Sequence, residues 1–366
     1  MNTYYNKNMI FTKEELYKLI MRNGSLHTNE IKGNLPSIMM TDGPHGLRKE
    51  TLSTPGNISE SVPATCFPTE SALACSWNPE LIKTMGSALA EEAKANSVNI
   101  VLGCGVNIKR SPLCGRNFEY FSEDPFLAGT LAANYIKGVP SHGVGTSLKH
   151  LCANNQESNR MTSNSQIDER ALREIYLSPF EMAVKKSQPS TIMASYNYVN
   201  GVHASENKEL LTDILRTEWG FKGAVISDWG ACISPEKSIP AGLDLEMPES
   251  ANHKNIPIPE KALVNAGGRI ASLALKVSKN TTKMTNSTNE LLQKNHELAV
   301  ELECESAVLL KNDGILPLKN KSQKIIIVGS LAEHIRYQGG GSSHINETTT
   351  PNAVDSLMQA GYSVTY

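Results

Sequence analysis

Two aspartates of the sequence follow short apolar runs, at positions where a carboxylate could do chemistry. Asp42 comes directly after SIMMT, and Asp228 comes directly after GAVIS. An ionised carboxylate at the end of a buried strand can attack an electron-poor carbon or accept hydrogen bonds from hydroxyl groups. The same position also suits an aspartate that caps a helix or a turn. Strand-end position by itself leaves both interpretations open.

Cationic and amide side chains lie close to further strand ends. Lys149 and His150 end the run GVGTSLKH and lead into LCANNQESNR, which is dense in amide and charged groups. Arg48 ends MTDGPHGLR, in which two glycines and a proline predict a tight turn. Such clusters of hydrogen-bond donors and acceptors suit a hydroxyl-rich ligand, and the rings of Tyr196 and Trp229 can stack on the face of a sugar. A solvated polar loop is the alternative for LCANNQESNR.

Short apolar runs alternate with helix-like stretches between about residue 35 and residue 247. The runs are PSIMM, VNIVLG, GVGTSLKH, STIMASYN, GAVISDW and AGLDLEMP. A helix is predicted over NPELIKTMGSALAEEAKAN, where Asn78 can cap and Pro79 can take the first helical position. This alternation predicts an α/β fold of parallel strands covered by helices, whose polar strand ends meet at one face.

The composition excludes several classes of protein. The 366 residues include 35 Lys and Arg against 37 Asp and Glu, so the chain lacks the basic excess of a nucleic-acid-binding protein. The N-terminal residues form no apolar signal region, and no apolar run approaches the roughly 18 residues that span a bilayer. Seven scattered cysteines without a CxxC pair argue against a disulfide framework and a thiolate zinc site. A cytoplasmic protein without metal, nucleic-acid or membrane partners is therefore expected.

A polar stretch over 277–296 interrupts the alternation and predicts an interdomain linker. After it come a helix, the strand KIIIVGS, a Gly/Ser-rich loop, a second helix and the strand YSVTY. Two strands are too few to bury an independent core. The sequence therefore predicts a first domain over 1–280, a linker and helix over 281–318, and the truncated start of a second domain over 319–366.

Several segments together resemble the glycoside hydrolase family 3 β-glucosidases of bacteria and fungi. They are MTDGPHGLR, GVNIKRSPLCGRNFEYFSEDP, GVGTSLKHLCANNQE, STIMASYNYVNGVHASE, LLTDILRTEWGFKGAVISDWGA and AGLDLEMP, followed by SAVLLKNDGILPL and GGGSSHIN. Long, ordered motifs are far more specific than one short pattern. The resemblance implies a (β/α)8 TIM-type barrel followed by an α/β sandwich domain, here incomplete. It also implies retaining hydrolysis of terminal non-reducing β-D-glucosyl residues without a cofactor.

The resemblance also implies roles for individual residues. Asp228, from the SDW triplet, corresponds to the nucleophile, which must stay ionised to trap C1 of the sugar as a glycosyl ester. The residues implied to bind the sugar are Asp42, Arg48, Arg116, Lys149, His150, Arg160, Met193, Tyr196, Trp229 and Ser342. From residue type alone, Met193 is more typical of a core, and Arg116 could serve a structural ion pair.

The family's second catalytic carboxyl has no counterpart in these motifs. In a retaining glycosidase it lies about 5 to 5.5 Å from the nucleophile and protonates the leaving oxygen. Family members of this type carry it as a glutamate in a second-domain loop beyond the GGGSS segment, and this sequence stops at Tyr366, before such a loop. Glu333 and Glu347 lie outside that context. The acid/base is therefore expected to be missing from this chain.

Other functions remain open on the sequence. One is a non-catalytic sugar-binding remnant, and another is half of a split enzyme that needs a separate C-terminal chain. A β-N-acetylglucosaminidase of the same family is disfavoured, because its acid/base histidine follows a KHFPGHG-like motif where this chain reads KHLCANNQE. The expected partners are β-glucosides or short β-linked oligosaccharides, with self-association or a complementing chain in addition. The aglycone and the choice between glucose and xylose do not follow from the sequence.

Overall fold

The computed structural model describes residues 3–6, 9–23, 26–51, 60–248, 256–278 and 288–366. Its strands are β1 Thr3–Asn6, β2 Met9–Thr12, β3 Arg22–Asn23, β4 His27–Thr28, β5 Met40–Asp42, β6 Pro63–Ala64, β7 Ile100–Leu102, β8 Gly145–Leu151, β9 Asn164–Ser165, β10 Thr191–Ala194, β11 Tyr198–Val199, β12 Val202–His203, β13 Ala224–Ser227, β14 Lys324–Ile326, β15 Asn346–Glu347 and β16 Ser363–Thr365. Its α-helices are α1 Lys13–Ile20, α2 Glu70–Ala74, α3 Pro79–Ala95, α4 Pro125–Gly138, α5 Glu169–Ala171, α6 Ser178–Ser187, α7 Pro235–Ala241, α8 Glu260–Ser278, α9 Thr288–Ser306 and α10 Ala353–Gln359. Two π-helical segments cover Leu172–Tyr176 and Glu209–Glu218.

One parallel sheet forms the centre of the fold. Among the described residues its order is β5, β7, β8, β10 and β13, and every neighbouring pair is parallel. A further parallel bridge joins Ile226 to Leu245, which adds the next apolar run of the chain to the same edge. Because each strand neighbours the strand that follows it in sequence, the sheet is wound in one direction, as in a β/α barrel. The predicted barrel-type α/β fold is confirmed, with five strands in the regular ladder of the described residues where the resemblance implies eight.

The sheet is covered by helices and is buried along its strands. Strands β7, β8, β10 and β13 are buried at every residue, as parallel strands covered on both faces are. Helices α3, α4 and α6 pack against one another in sequence order. The crossing of α3 and α4 requires Gly138, because a Cβ there would overlap the carbonyl oxygen of Lys83.

No described helix combines the length and the apolar character that a membrane crossing requires.

A buried ion cluster joins helix α8 to the sheet. The Asp244 carboxylate is fully buried, and it accepts hydrogen bonds from Arg216 Nη2 at 2.6 Å and from Arg269 Nε at 2.7 Å. The Val225 N–H donates to the same carboxylate at 2.8 Å. Two guanidinium groups and a backbone donor satisfy a charge that would be costly to bury alone. The cluster fixes the run that ends at Met247, on the side of the sheet next to β13.

The residues after 287 contact the first part of the chain through helix α9 and through the segment that contains β15. Asn295 on α9 donates to Glu92 on α3 at 2.8 Å, and both side chains are buried. Strand β15 pairs in parallel with β6, and Asn346 Nδ2 donates to the Ser61 carbonyl oxygen at 2.8 Å. The stretch predicted as a linker falls partly on 279–287, outside the described residues, and α9 occupies its later part.

Strands β14 and β16 pair with each other and leave apolar side chains exposed. Ile326 is 74% exposed and Val328 is 89% exposed. Leu309 and Leu310, before these strands in the chain, are 62% and 92% exposed. Exposed apolar groups of this size next to an open strand edge favour association.

These exposed residues predict that the polypeptide of residues 1–366 self-associates. Light scattering at roughly tens of micromolar, the regime of such association, should give a mass above the 39.9 kDa of one chain. Replacing Ile326 and Val328 together by Lys should return the mass toward one chain. The matched control is Leu113→Lys, at a residue that is 92% exposed elsewhere on the surface, and it should leave the mass unchanged. A single species of one-chain mass in the unmodified polypeptide would contradict the prediction.

Candidate active site

One cavity of about 660 Å³ opens at the carboxyl ends of the parallel strands. Asp42 ends β5, Lys149 and His150 lie in β8, Met193 lies in β10, and Asp228 directly follows β13. The carboxyl ends of parallel strands meet at one face, which brings these distant residues together. The other residues that the sequence assigns to a site line the same cavity, and they are Arg48, Arg116, Arg160, Tyr196, Trp229 and Ser342.

Further residues complete the wall without having been singled out in the sequence. They are Leu26, Pro44, Glu50, Leu102, Gly115, Phe118, Glu119, Glu157, Met247, Gly340, Gly341 and Ser343. Glu119 and Glu157 each lie three residues from an arginine of the site, Arg116 and Arg160 respectively. That spacing of opposite charges within one motif is the signal that could have identified them. His45, which lies in one of the motifs, does not line the cavity.

Asp228 is fixed by the backbone on both sides. Its N–H donates to the Ala194 carbonyl oxygen at 3.1 Å, and its Oδ1 accepts the Trp229 N–H at 2.7 Å. Its Oδ2 lies 3.5 Å from His150 Nε2 and 3.9 Å from Arg116 Nη1, both longer than normal hydrogen bonds. One carboxylate oxygen is therefore anchored, while the other faces the cations of the cavity. The Trp229 indole, 41% exposed, stands at the mouth.

His150 is held as a neutral ring. Burial lowers its pKa well below the usual range, and the nearby Arg116 and Lys149 charges lower it further. The Arg116 guanidinium can only donate, so its Nη2, 2.8 Å from His150 Nε2, makes that nitrogen an acceptor. The ring proton therefore sits on Nδ1, 3.2 Å from the Tyr120 hydroxyl. Asn107 fixes the backbone of His150 with two hydrogen bonds of 2.8 and 2.9 Å.

A buried carboxylate links the two main cations of the cavity. Arg116 Nε donates to Glu119 Oε1, and Lys149 Nζ lies 3.2 Å from Glu119 Oε2. Burial by itself raises the pKa of Glu119, but Lys149 and Arg116 outweigh burial and hold that pKa at about 2. Lys149 also lies 3.8 Å from Asp42 Oδ1. Burial raises the pKa of Asp42, and the Lys149 charge opposes this without cancelling it.

The turn after β5 brings Arg48 back beside Asp42, as the sequence predicts. The Arg48 N–H donates to the Asp42 carbonyl oxygen at 3.0 Å, and the Thr41 hydroxyl donates to the Arg48 carbonyl oxygen. Gly43 is required here, because a Cβ would overlap the Gly46 carbonyl oxygen. The turn places a guanidinium, 3% exposed as a residue, against the cavity.

Arg160 and Tyr196 form one side of the cavity. The Arg160 guanidinium lies 4.6 Å from the centroid of the Tyr196 ring, and its Nη1 donates to Glu157 Oε2 at 2.7 Å. Burial, followed by the Asp228 carboxylate, raises the pKa of the Tyr196 phenol. The phenol therefore keeps its proton and can act as a hydrogen-bond donor. Met193, in β10, is buried and lines the same cavity.

The glycine-rich loop that carries Ser342 reaches the cavity from the C-terminal residues. Gln338 Oε1 accepts the Ile345 N–H, and Gln338 Nε2 donates to the Ile345 carbonyl oxygen, both at 2.9 Å. Ile345 is fully buried, and a Cβ at Gly46 would lie 3.0 Å from its Cγ1. The loop is thus closed on itself and packed against the turn that follows β5.

The chain matches two family models. One is described as Glycosyl hydrolase family 3 N terminal domain and matches residues 14–279. The other is described as Glycosyl hydrolase family 3 C-terminal domain and matches residues 307–363.

Named relatives and solved structures are similar to the chain over nearly all of its length. It is 48% identical to thermostable beta-glucosidase B of Acetivibrio thermocellus, over 92% of this chain and 45% of that protein. It is 47% identical to exo-alpha-(1->6)-L-arabinopyranosidase of Bifidobacterium breve, over 96% of this chain and 48% of that protein. The crystal structure of a GH3 beta-glucosidase of Bifidobacterium adolescentis is 44% identical with a TM-score of 0.88, over 99% of this chain and 53% of that one. Beta-glucosidase 3B of Thermotoga neapolitana in complex with alpha-D-glucose is 35% identical with a TM-score of 0.88, over 97% and 54% respectively. The chain spans about half the length of these relatives.

The raised pKa of Asp42 predicts that this carboxyl lowers stability at neutral pH. A carboxyl whose pKa is higher in the folded chain contributes stability below its unfolded pKa and loses that contribution as the pH rises through the folded value. Asp42→Asn keeps the shape and removes the charge, while Lys149 keeps Glu119 as its partner. The variant should therefore melt a few degrees higher than the unmodified chain at neutral pH. The difference should shrink as the pH falls toward about 4, near the unfolded pKa of an aspartate.

The control for this prediction is Asp313→Asn, at an aspartate whose side chain is 81% exposed. It should not change the melting temperature at either pH. An Asp42→Asn chain that melts lower than the unmodified chain at neutral pH would count against the prediction.

Proposed function

The chain belongs to glycosyl hydrolase family 3, and from this premise we propose that it hydrolyses terminal non-reducing β-D-glucosyl residues of β-glucosides or short β-linked oligosaccharides. The observation that carries the proposal is the Asp228 carboxylate, which has one oxygen anchored and the other turned toward Arg116 and His150 in a cavity of about 660 Å³. Relatives named beta-glucosidase, one of them solved in complex with glucose, support the substrate class.

Asp228 acts as the nucleophile of a retaining double displacement. Its Oδ2 attacks C1 of the sugar, the bond from C1 to the aglycone oxygen breaks, and the electron pair leaves with that oxygen. A glycosyl ester of Asp228 remains. Water then attacks C1, and the bond from C1 to the Asp228 oxygen breaks and frees the carboxylate. The proton that the water loses goes to the aglycone oxyanion or to solvent, and the configuration at C1 is retained overall. Arg116 Nη1 lies 3.9 Å from Asp228 Oδ2, on the wall of the same cavity.

The rest of the cavity binds the sugar. Asp42 accepts hydrogen bonds from sugar hydroxyl groups, and Lys149 and Arg48 donate to their oxygens. The Tyr196 phenol, which keeps its proton, donates beside Asp228. The remaining members of the proposed sugar site are Arg116, His150, Arg160, Met193, Trp229 and Ser342.

The glutamates of the cavity are unsuited to protonating the leaving oxygen. A general acid must carry a proton, and Glu119, with its pKa at about 2, carries none at neutral pH. Glu157 is paired with Arg160 at 2.7 Å, and Glu50 lies 3.8 Å from Arg48. No acid/base role is therefore assigned among the described residues, and the family resemblance assigns that role to a loop of the second domain.

An activated fluoroglucoside should trap the nucleophile without an acid. The dinitrophenolate of 2,4-dinitrophenyl 2-deoxy-2-fluoro-β-glucoside is stable enough to leave unprotonated, and the fluorine slows breakdown of the ester. We expect intact-mass spectrometry to show one fluoroglucosyl adduct, and peptide mapping to place it on the peptide that contains Asp228. The Asp228→Asn variant should show no adduct. General acid catalysis is worth about 10²- to 10⁴-fold, and no described glutamate of the cavity is assigned that role. The polypeptide of residues 1–366 should therefore hydrolyse cellobiose more slowly than dinitrophenyl glucoside by at least about that factor.

The trapping experiment also separates the alternatives. A chain that melts cooperatively, binds glucose and forms no adduct would contradict the nucleophile assignment and favour a non-catalytic sugar-binding protein. An adduct that appears only after a separate C-terminal chain is added would favour half of a split enzyme.

A pentopyranose is the second candidate glycone. Two similar proteins, each 47% identical, are named exo-alpha-(1->6)-L-arabinopyranosidase. An arabinopyranosyl ring lacks the hydroxymethyl group of glucose, and one such group is worth about tenfold or more in selectivity.

A panel of dinitrophenyl glycosides decides between these glycones. We expect kcat/KM for the β-D-glucoside to exceed that for the β-D-xyloside and the α-L-arabinopyranoside by about tenfold or more. An arabinopyranoside that reacts faster than the glucoside would reassign the glycone and leave Asp228 as the nucleophile.

A further inference from the structure

The Glu119 carboxylate lies between the two cations that face the cavity aspartates. We infer that Glu119 is a positioning residue: by binding Arg116 and Lys149 together, it keeps each cation from closing onto an aspartate. The inference rests on the proposed function, since it concerns how Asp228 and Asp42 remain open to a sugar.

Each oxygen of Glu119 holds a different cation. Oε1 accepts from Arg116 Nε, and Oε2 lies 3.2 Å from Lys149 Nζ. The side chains of Glu119 and Lys149 are 4% and 3% exposed. Water is therefore a poor substitute for the carboxylate, and the arrangement of both cations depends on it.

The two aspartates receive the cations at longer distances. Arg116 Nη1 lies 3.9 Å from Asp228 Oδ2, and Lys149 Nζ lies 3.8 Å from Asp42 Oδ1. A direct charge-assisted hydrogen bond measures about 2.7–2.9 Å. The cations thus lie near both aspartates and yet too far away to form direct hydrogen bonds with these two oxygens. Loss of Glu119 removes the competing acceptor and lets each cation move onto its aspartate.

The backbone that carries Glu119 is itself fixed. Glu119 ends a 3-10 turn over Asn117–Glu119, and its N–H donates to the Arg116 carbonyl oxygen at 3.1 Å. Ser71 donates to the Asn117 carbonyl oxygen at 2.6 Å. A Cβ at Gly105 would overlap the Glu119 carbonyl oxygen, so the turn packs directly against the backbone after β7. The backbone of Glu119 is therefore held in place, and this fixes the position from which its carboxylate binds both cations.

The test is the rate of fluoroglucosyl adduct formation as a function of pH in the full chain. We expect Glu119→Gln to form the adduct about 10²-fold more slowly at the pH optimum, the cost of a misplaced reacting group. The acid limb of its pH–rate profile, the fall in rate at low pH, should move to lower pH. Loss of the Glu119 charge, which raises the pKa of Asp42, leaves the Lys149 charge to favour the ionised form of the sugar-binding Asp42. Glu119→Asp keeps the charge but is one methylene shorter, so it should react slowly while its acid limb stays in place.

The first-order rate constant describes only the molecules that form the adduct. Partial unfolding of a variant therefore lowers the final amount of adduct and leaves the rate constant unchanged. Glu123→Gln is the matched control, at an exposed glutamate four residues along the same motif, and it should behave as the unmodified chain does. A Glu119→Gln chain with an unchanged rate constant would overturn the inference, and so would a slower variant whose acid limb has not moved. An unmodified chain that forms no adduct would instead overturn the proposed function, and this inference with it.

Discussion

The charge balance among the buried groups of this cavity is the constraint on which the site depends. Arg116 and Lys149 can remain in it because they share the Glu119 carboxylate, whose pKa they hold at about 2. His150 stays neutral because burial lowers its pKa well below the usual range and the Arg116 and Lys149 charges lower it further. One oxygen of Asp228 accepts the Trp229 N–H, and the other faces the Arg116 guanidinium and the neutral His150 ring.

The fold supplies that balance by chain topology. Strands that follow one another in sequence lie side by side, so residues from different motifs arrive at one face. The turn after β5 folds Arg48 back by backbone hydrogen bonds, and the loop closed by Gln338 brings Ser342 to the same cavity from the C-terminal residues. The site is therefore built by elements of both matched family domains within one chain.

The sequence predicts the strands and the polar residues at their ends well, because the change from apolar residues to Asp42 or Asp228 marks the end of each strand. It does not predict which charges pair. Glu119 lies in the same sequence motif as Arg116. Its contact with Lys149, however, depends on the spacing between β7 and β8, and no local sequence pattern encodes that spacing. Lys149 and His150 are consecutive strand residues, which in a regular strand point to opposite faces. Both nevertheless line the cavity, where the register of β8 and β10 shifts, and that irregularity has no sequence signal.

The most direct test of this account is a crystal structure of the fluoroglucosyl adduct. If Asp228 is the nucleophile, C1 of the sugar is bonded to Asp228 Oδ2, Oδ1 still accepts the Trp229 N–H, and the sugar ring lies inside the cavity lined by Asp42 and Lys149. A sugar bonded to another residue, or bound outside that cavity, would contradict it.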